Sequence, residues 1–517
     1  MRRTLPVHPF FFALFPVSFL YAQNIRQFSP TVAVVPAVVL VVAAGVLLVL
    51  MGAVLRSAKK AALVVSLFLV LFFSFTHACR VLPEFRPRVW GVLVTPTKVV
   101  FLAWVLAFVG GTWLLVRTKR RLDSLTRILN VTAAVLVAIS LVNIGLYELG
   151  ARQRPADTQL PRPDAPPATQ DVSQFPDMYY IILDAYARQD VLREVYDYDN
   201  TAFLDGLRRR GFTVAEKSTS NYAWTVLSLA SSLNMRHIAD LLGDIDPESG
   251  DLLPLSRLIR HSEVRRLLKQ RGYTVYAFSI GYKAAEMTTA DVFLSPGWFS
   301  GEFPNALIDM TPLWALFQRL ALVPQHRSRI RYAFEQLERL PERPSPKFVF
   351  CHVMSPHYPF VFGPAGEPVN PRNMNARRGP RLTGTGRADY RKYYAGQLAY
   401  TNTRITKAID AILEKSRRPP VIILQGDHGP ESLLHPKALT AEAIRERHAI
   451  LNAYYLRGEK DDALYAEITP VNSFRIVFNH CFGTDYELLE DENFFSMLAR
   501  PYQLEEVTGQ FRSHPGR

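Results

Sequence analysis

Apolar residues are unevenly distributed along this chain. They run almost unbroken through four stretches, 31–55, 61–78, 99–116 and 128–147. A bilayer core of ~30 Å needs about 20 apolar residues in a helix, so each stretch predicts a membrane-spanning helix. A fifth stretch, 9–23, is shorter, carries Pro16 and follows Arg2 and Arg3. It reads as a further membrane helix rather than a signal peptide, because the small-x-small cleavage pattern around Tyr21-Ala22-Gln23 is poor. The loop after 31–55 holds Arg56, Lys59 and Lys60, and the loop after 99–116 holds Arg117, Lys119, Arg120, Arg121 and Arg127. Short basic loops stay on the cytoplasmic side. Arg80, Arg86 and Arg88 weaken the contrast between loops, but five crossings that start inside deliver the rest of the chain outside. The expectation is a multi-pass protein of an inner or plasma membrane with a periplasmic or extracellular remainder. The spans show no run of acids or histidines, the mark of a transporter, and read as an anchor that also presents lipid.

Residues 151–177 contain six prolines among Gln, Asp, Ala and Thr, a composition that buries no core and predicts a semi-rigid spacer. From Met178 the pattern changes again. Short apolar runs at Met178–Leu183, Tyr273–Phe278, Lys347–Val353, Val421–Leu424 and Ala449–Leu456 read as buried strands. Amphipathic stretches near 200–210, 260–271, 389–415 and 470–479 read as helices between them. Continuous apolar strands alternating with helices predict an α/β domain over 178–517 with a mostly parallel sheet covered on both faces. The stretch 363–387, rich in Gly, Pro, Asn and Arg, reads as a long surface loop.

Charge sharpens this division. The formal net charge is +14, of which residues 1–150 carry +12. The remainder is nearly neutral, so it lacks the electrostatic footprint of a nucleic-acid-binding domain. Three widely spaced cysteines, Cys79, Cys351 and Cys481, imply no disulfide framework and no Cys-x-x-Cys zinc site.

In open parallel sheets the ligand site lies at the carboxyl ends of the strands, so the polar residues just past each apolar run carry the candidate chemistry. Asp184 follows Tyr179-Tyr180-Ile181-Ile182-Leu183, where a carboxylate can bind a hard cation or simply form a turn. Asp427-His428 follows Val421–Gly426, flanked by Gly426 and Gly429, which let the backbone turn tightly. A carboxylate oxygen beside an imidazole nitrogen suits zinc or manganese. Asn221–Leu233 reads as a loop entering an apolar helix near Thr225. A hydroxyl there meets free N–H groups and the positive end of the helix dipole, although an N-cap is the plainer role. His357, in Ser355-Pro356-His357-Tyr358-Pro359-Phe360, can hydrogen-bond an anion. His352 falls within a strand and reads as structural, and His448 is a weaker candidate ligand or substrate contact.

The order of these elements, an acid, a hydroxyl 41 residues later, a loop histidine and then an Asp-His pair, resembles the alkaline phosphatase superfamily. Within it, the chain is similar to the sulfatase-like branch that includes lipoteichoic acid synthases and lipid A phosphoethanolamine transferases, which also join five membrane helices to an extracytoplasmic catalytic domain. The resemblance implies a metal site of Asp184, Thr225, Asp427 and His428, with Thr225 as nucleophile and His357 touching the transferred group. The implied cofactor is a divalent ion, Mn2+ or Zn2+, with Mg2+ or Ca2+ also compatible. Those transferases usually have Glu where this chain has Asp184, and the cysteine pairs of the phosphoethanolamine transferases are missing. No Cys/Ser-x-Pro-x-Arg motif, the site of formylglycine formation in true sulfatases, surrounds Thr225.

The expected activity is therefore transfer of a phospho-headgroup, of phosphoglycerol or phosphoethanolamine type, from a membrane lipid or lipid-linked donor to an envelope glycan or lipid. Transfer to water, as a phosphodiesterase or sulfuric-ester hydrolase, is the competing enzymatic reading. A non-catalytic domain that binds glycan or scaffolds an assembly is the third.

Overall fold

The computed structural model describes every residue except 1–3, 26–30, 83–87, 90–91, 154–174, 244, 297–301, 315–322, 370–373, 376–378, 381–384, 435–438, 457–462 and 513–517. Most of the spacer expected at 151–177, and much of the loop expected at 363–387, lie outside the described residues. The chain forms two units, one of residues 1–159 with 299–322, the other of 160–298 with 323–517.

The first unit is built on five helices, α1 (His8–Gln23), α2 (Thr31–Leu55), α3 (Ala58–Val81), α4 (Pro96–Arg117) and α5 (Asp123–Gln153). Spans within α2 to α5 are long and apolar enough to cross a bilayer. Helix α1, expected as a fifth crossing, has 16 residues, fewer than the about 17 a crossing needs, and is not among the four long apolar spans of the described residues. Valines 34, 38, 42, 46 and 49 of α2 are exposed, as expected of a surface whose solvent is lipid tails. Residues 299–322 join this unit although they lie much later in the chain. Their helix Glu302–Asp309 buries Phe303 and Leu307, one turn apart, against Val17 and Tyr21 of α1. Beyond it, Met310 O accepts a hydrogen bond from Thr76 N of α3. The chain is a membrane protein.

The second unit is an α/β domain around a seven-stranded sheet. Its strands are β1 (Met178–Leu183), β2 (Thr213–Val214), β3 (Thr274–Phe278), β4 (Val292–Leu294), β5 (Lys347–Val353), β6 (Val421–Gln425) and β7 (Asn452–Tyr455). The spatial order is β2-β7-β6-β1-β5-β3-β4. Neighbours from β6 through β4 pair in parallel, while β7 runs antiparallel to both β6 and β2. The expected sheet is thus mostly parallel with an antiparallel edge.

Side-chain alternation explains why the strands read as unbroken apolar runs. Tyr180, Ile182, Phe348, Phe350, Val421 and Ile423 pack on one face against helices α6 (Thr225–Ser232) and α10 (Pro470–Phe482). Tyr179, Ile181, Val349, Cys351, Ile422 and Leu424 pack on the other against α7 (Val323–Leu337) and α8 (Thr385–Lys415). Both faces are covered by helices, so neither parity is given over to polar residues, and buried exceptions such as His352 and Gln425 are few. At the amino ends of β1 and β5, Lys347 Nζ and Asp177 Oδ2 form an ion pair of 2.5 Å, both side chains buried. A further helix, α9 (Ala441–His448), precedes β7. The three cysteines are free.

Candidate metal centre

The carboxyl ends of β1, β5 and β6 lie side by side, and the chain turns sharply after each. After β1, Asp184 N donates to Val353 O, and Ala185 adopts a left-handed φ of 60°. That conformation is uncommon for a residue with a Cβ. It aims Ala185 N at Asp427 Oδ1, 3.1 Å away, so the turn after β1 holds the carboxylate that follows β6. The glycines beside Asp427-His428 are required for close approach rather than for a left-handed turn. A Cβ on Gly426 would sit 2.6 Å from Tyr186 O, and one on Gly429 would sit 1.9 Å from Glu446 O.

Thr225 is the first residue of α6, and Trp224 rather than Thr225 occupies the N-cap position. The Thr225 hydroxyl is therefore not spent on capping. Its Oγ1 lies 3.0 Å from His428 Nε2. The same nitrogen is 3.4 Å from Asp427 Oδ2 and 3.8 Å from Asp184 Oδ1. Asp184, Asp427 and His428 can each offer one ligand atom within 4.8 Å of the others, and all three are buried. Among the described residues, Asp184 Oδ1 and Asp427 Oδ2 have no well-formed hydrogen-bond donor although both are sealed from solvent, the Thr225 hydroxyl lying beside the Asp427 carboxylate. A buried carboxylate oxygen with no donor is costly, and two facing one imidazole nitrogen and one hydroxyl are what a divalent cation would satisfy. Asp184, Asp427 and His428 could hold such an ion, with Thr225 Oγ1 beside them.

The electrostatics agree. Burial and then the neighbouring Asp184 charge push Asp427 up to about 6. Burial also opposes ionisation of Asp184, but His357 and the hydrogen-bonded His352 outweigh it and hold that carboxyl well below the usual range. Burial, reinforced by Arg447, drives His428 well below its ordinary value, so its ring is neutral and Nε2 is available as a ligand.

His357 sits in the loop after β5, where its backbone N donates to Asp184 O at 3.0 Å and its ring stacks on Tyr358. Its ring centroid is 6.2 Å from that of His428, beside the cluster rather than in it. His448 is turned elsewhere, with Nδ1 2.9 Å from Ile444 O and Nε2 3.2 Å from Phe494 O.

Two residues of the centre carry no strong sequence signal. His352, on β5, places Nε2 2.9 Å from Asp184 Oδ2 and so orients the carboxylate. Its burial opposes protonation, but Asp184 raises it overall. Arg447, on α9, is buried against the same cluster. Its Nε donates to Ala223 O and its Nη1 to Gly429 O, each at 2.7 Å, while Nη2 is 3.3 Å from His428 Nε2.

With this geometry in view, residues 176–477 match the protein-family model described as Sulfatase. The chain belongs to the sulfatase family. The match agrees with the sulfatase-like branch that the strand-end motifs resemble. A comparison with curated proteins finds no match. Among solved structures, this sulfatase-family chain is similar to the C-terminal periplasmic domain of EcEptC from Escherichia coli in complex with Zn, at 13% identity and a TM-score of 0.45, covering 67% of this chain and 95% of that one. It is also similar to the integral membrane lipooligosaccharide phosphoethanolamine transferase A from Neisseria meningitidis, at 14% identity and a TM-score of 0.40, covering 92% and 95%. A third is the lipoteichoic acid synthase LtaP from Listeria monocytogenes, at 12% identity and a TM-score of 0.39, covering 63% and 76%. At these scores the family assignment rests on the sequence match and not on the structural likenesses.

Proposed function

We propose that the protein is a membrane-anchored, metal-dependent transferase that moves a phospho-headgroup from a lipid donor to an envelope glycan or lipid through a covalent Thr225 intermediate. The observation that carries this reading is the pair of buried, undonated carboxylate oxygens facing Thr225 Oγ1 and His428 Nε2. A threonine hydroxyl is nearly all protonated at neutral pH and is a weak nucleophile. A divalent ion at this centre would lower its pKa and draw charge from the phosphoryl oxygens. Zinc or manganese suits the mixed O/N donors.

In the first step a bond forms between Thr225 Oγ1 and phosphorus, and the bond from phosphorus to the donor's alcohol breaks. The proton lost by Thr225 is matched by the one gained by that alcohol. The acceptor hydroxyl then displaces Thr225, which recovers a proton. His357, one residue-width from His428, contacts the transferred group. The basic loop 118–121 just before α5 supports placing the second unit on the outer side of an inner or plasma membrane, with or without a crossing by α1.

Thr225→Ala and Asp427→Ala should each leave a folded protein whose turnover of a labelled phospholipid headgroup falls by about 10³-fold or more. Near-normal turnover in either variant refutes the mechanism. Water as acceptor is the alternative, favoured by the match to a family described as Sulfatase. Headgroup release that is unchanged by added glycan or lipid acceptor supports hydrolysis over transfer.

A further inference from the structure

Arg447 is 1% exposed and is among the largest fully buried side chains of the protein. Its guanidinium lies over the Trp224 ring at 4.5 Å. Two of its three nitrogens are committed to Ala223 O and Gly429 O. These carbonyls belong to the two segments that carry Thr225 and His428. Among the described residues the third nitrogen, Nη2, has a single partner, His428 Nε2 at 3.3 Å. That is the atom Thr225 Oγ1 also approaches, at 3.0 Å.

Among the described residues Arg447 has no carboxylate partner, and burying an arginine so is expensive, with carbonyls and a π face offsetting only part of the cost. Nη2 is also aimed at a lone pair that a bound cation would take, which would leave this N–H without its acceptor. The charges point the same way. Asp184 and Asp427 together neutralise a divalent ion, so Arg447 leaves the loaded centre with one net positive charge. A charged guanidinium N–H is well matched to a phosphoryl oxygen.

We propose that Arg447 is a catalytic residue whose Nη2 donates to a non-bridging oxygen of the group transferred by Thr225. This rests on the reading of the centre as a metal-dependent phosphoryl-transfer site. Arg447 supplies a fixed positive charge where negative charge gathers on the transferred group, and it needs no reorganisation because its other donors are already anchored. A purely structural arginine, which only ties Ala223 to Gly429, would leave anion affinity untouched once the protein is folded and loaded.

The test uses the full chain in detergent. Zinc chloride is titrated calorimetrically into wild type and Arg447→Lys, and orthovanadate is then titrated into each zinc-loaded protein. The expected result is zinc affinity within threefold of wild type and vanadate affinity at least tenfold weaker. Equal vanadate affinity in the two proteins overturns the role of Arg447 and leaves the metal reading standing. If zinc-loaded wild type binds no vanadate, both fall together. Should Arg447→Lys fail to fold, a crystal structure of wild type with zinc and vanadate decides. Nη2 within about 3 Å of a vanadate oxygen supports the proposal, and a guanidinium with no oxygen in reach overturns it.

Discussion

Asp184 divides its two oxygens between different tasks. Oδ2 is 2.9 Å from His352 Nε2, and Oδ1 is left facing His428 with no donor. The imidazole therefore fixes which oxygen points into the cluster, as groups behind metal ligands commonly do. His352→Gln should weaken zinc binding by about 10- to 100-fold while the protein stays folded, and equilibrium dialysis against zinc measures it. Unchanged affinity would show that Asp184 is oriented by other contacts. The two residues also mark what a sequence reveals at this scale. Asp184, Asp427 and His428 each follow an apolar run and so announce a strand's carboxyl end. His352 lies within such a run, at the same parity as Phe348 and Phe350, and its alternation reads as core. Arg447 belongs to the eight-residue helix α9 with no motif around it. Only folding brings it to Thr225.

Among the elements, strands buried on both faces were the most legible. Met178–Leu183 and Lys347–Val353 form over the residues their apolar runs predict, because a parallel sheet between two helical layers leaves no polar side to interrupt them. The two-residue β2 and three-residue β4 are too short for any periodicity to show. The ends of β1 and β5 are joined by charge rather than by packing. Asp177 accepts from Lys347 Nζ, Lys347 N and Ser345 Oγ, so removing its carboxylate leaves a buried ammonium facing little but carbonyls. Asp177→Ala should destabilise the second unit by about 3–5 kcal/mol, the usual cost of breaking a buried pair on one side. A denaturant midpoint within error of wild type would show that Lys347 relaxes to solvent.

Over the molecule as a whole, buried histidines tie stability to pH. Burial, then Arg329, lowers His326 to about 3, and burial lowers His448 to about 4. In the unfolded chain both titrate near 6.5. The unfolded state thus binds more protons between those values. Their contribution to stability is complete above about pH 6.5 and is lost as pH falls toward 4 and then 3. Each histidine adds a slope of about 1.4 kcal/mol per pH unit within its window. Melting temperatures measured from pH 7 to pH 5 should therefore fall, and His448→Asn should flatten the decline by about one proton. The division into membrane helices and an α/β domain was visible in hydropathy alone, but the return of Glu302–Asp309 to α1 was not, since Phe303 and Leu307 are too brief a pattern to stand out. That return has a practical corollary. The helix Glu302–Asp309, far along the chain from α5, belongs to the first unit. A protease that nicks residues 154–174 should therefore not shed the enzyme. The fragments should separate on a denaturing gel yet elute together in detergent, because Phe303 and Leu307 stay lodged against Val17 and Tyr21. Release of a freely soluble fragment from nicked membranes would contradict this.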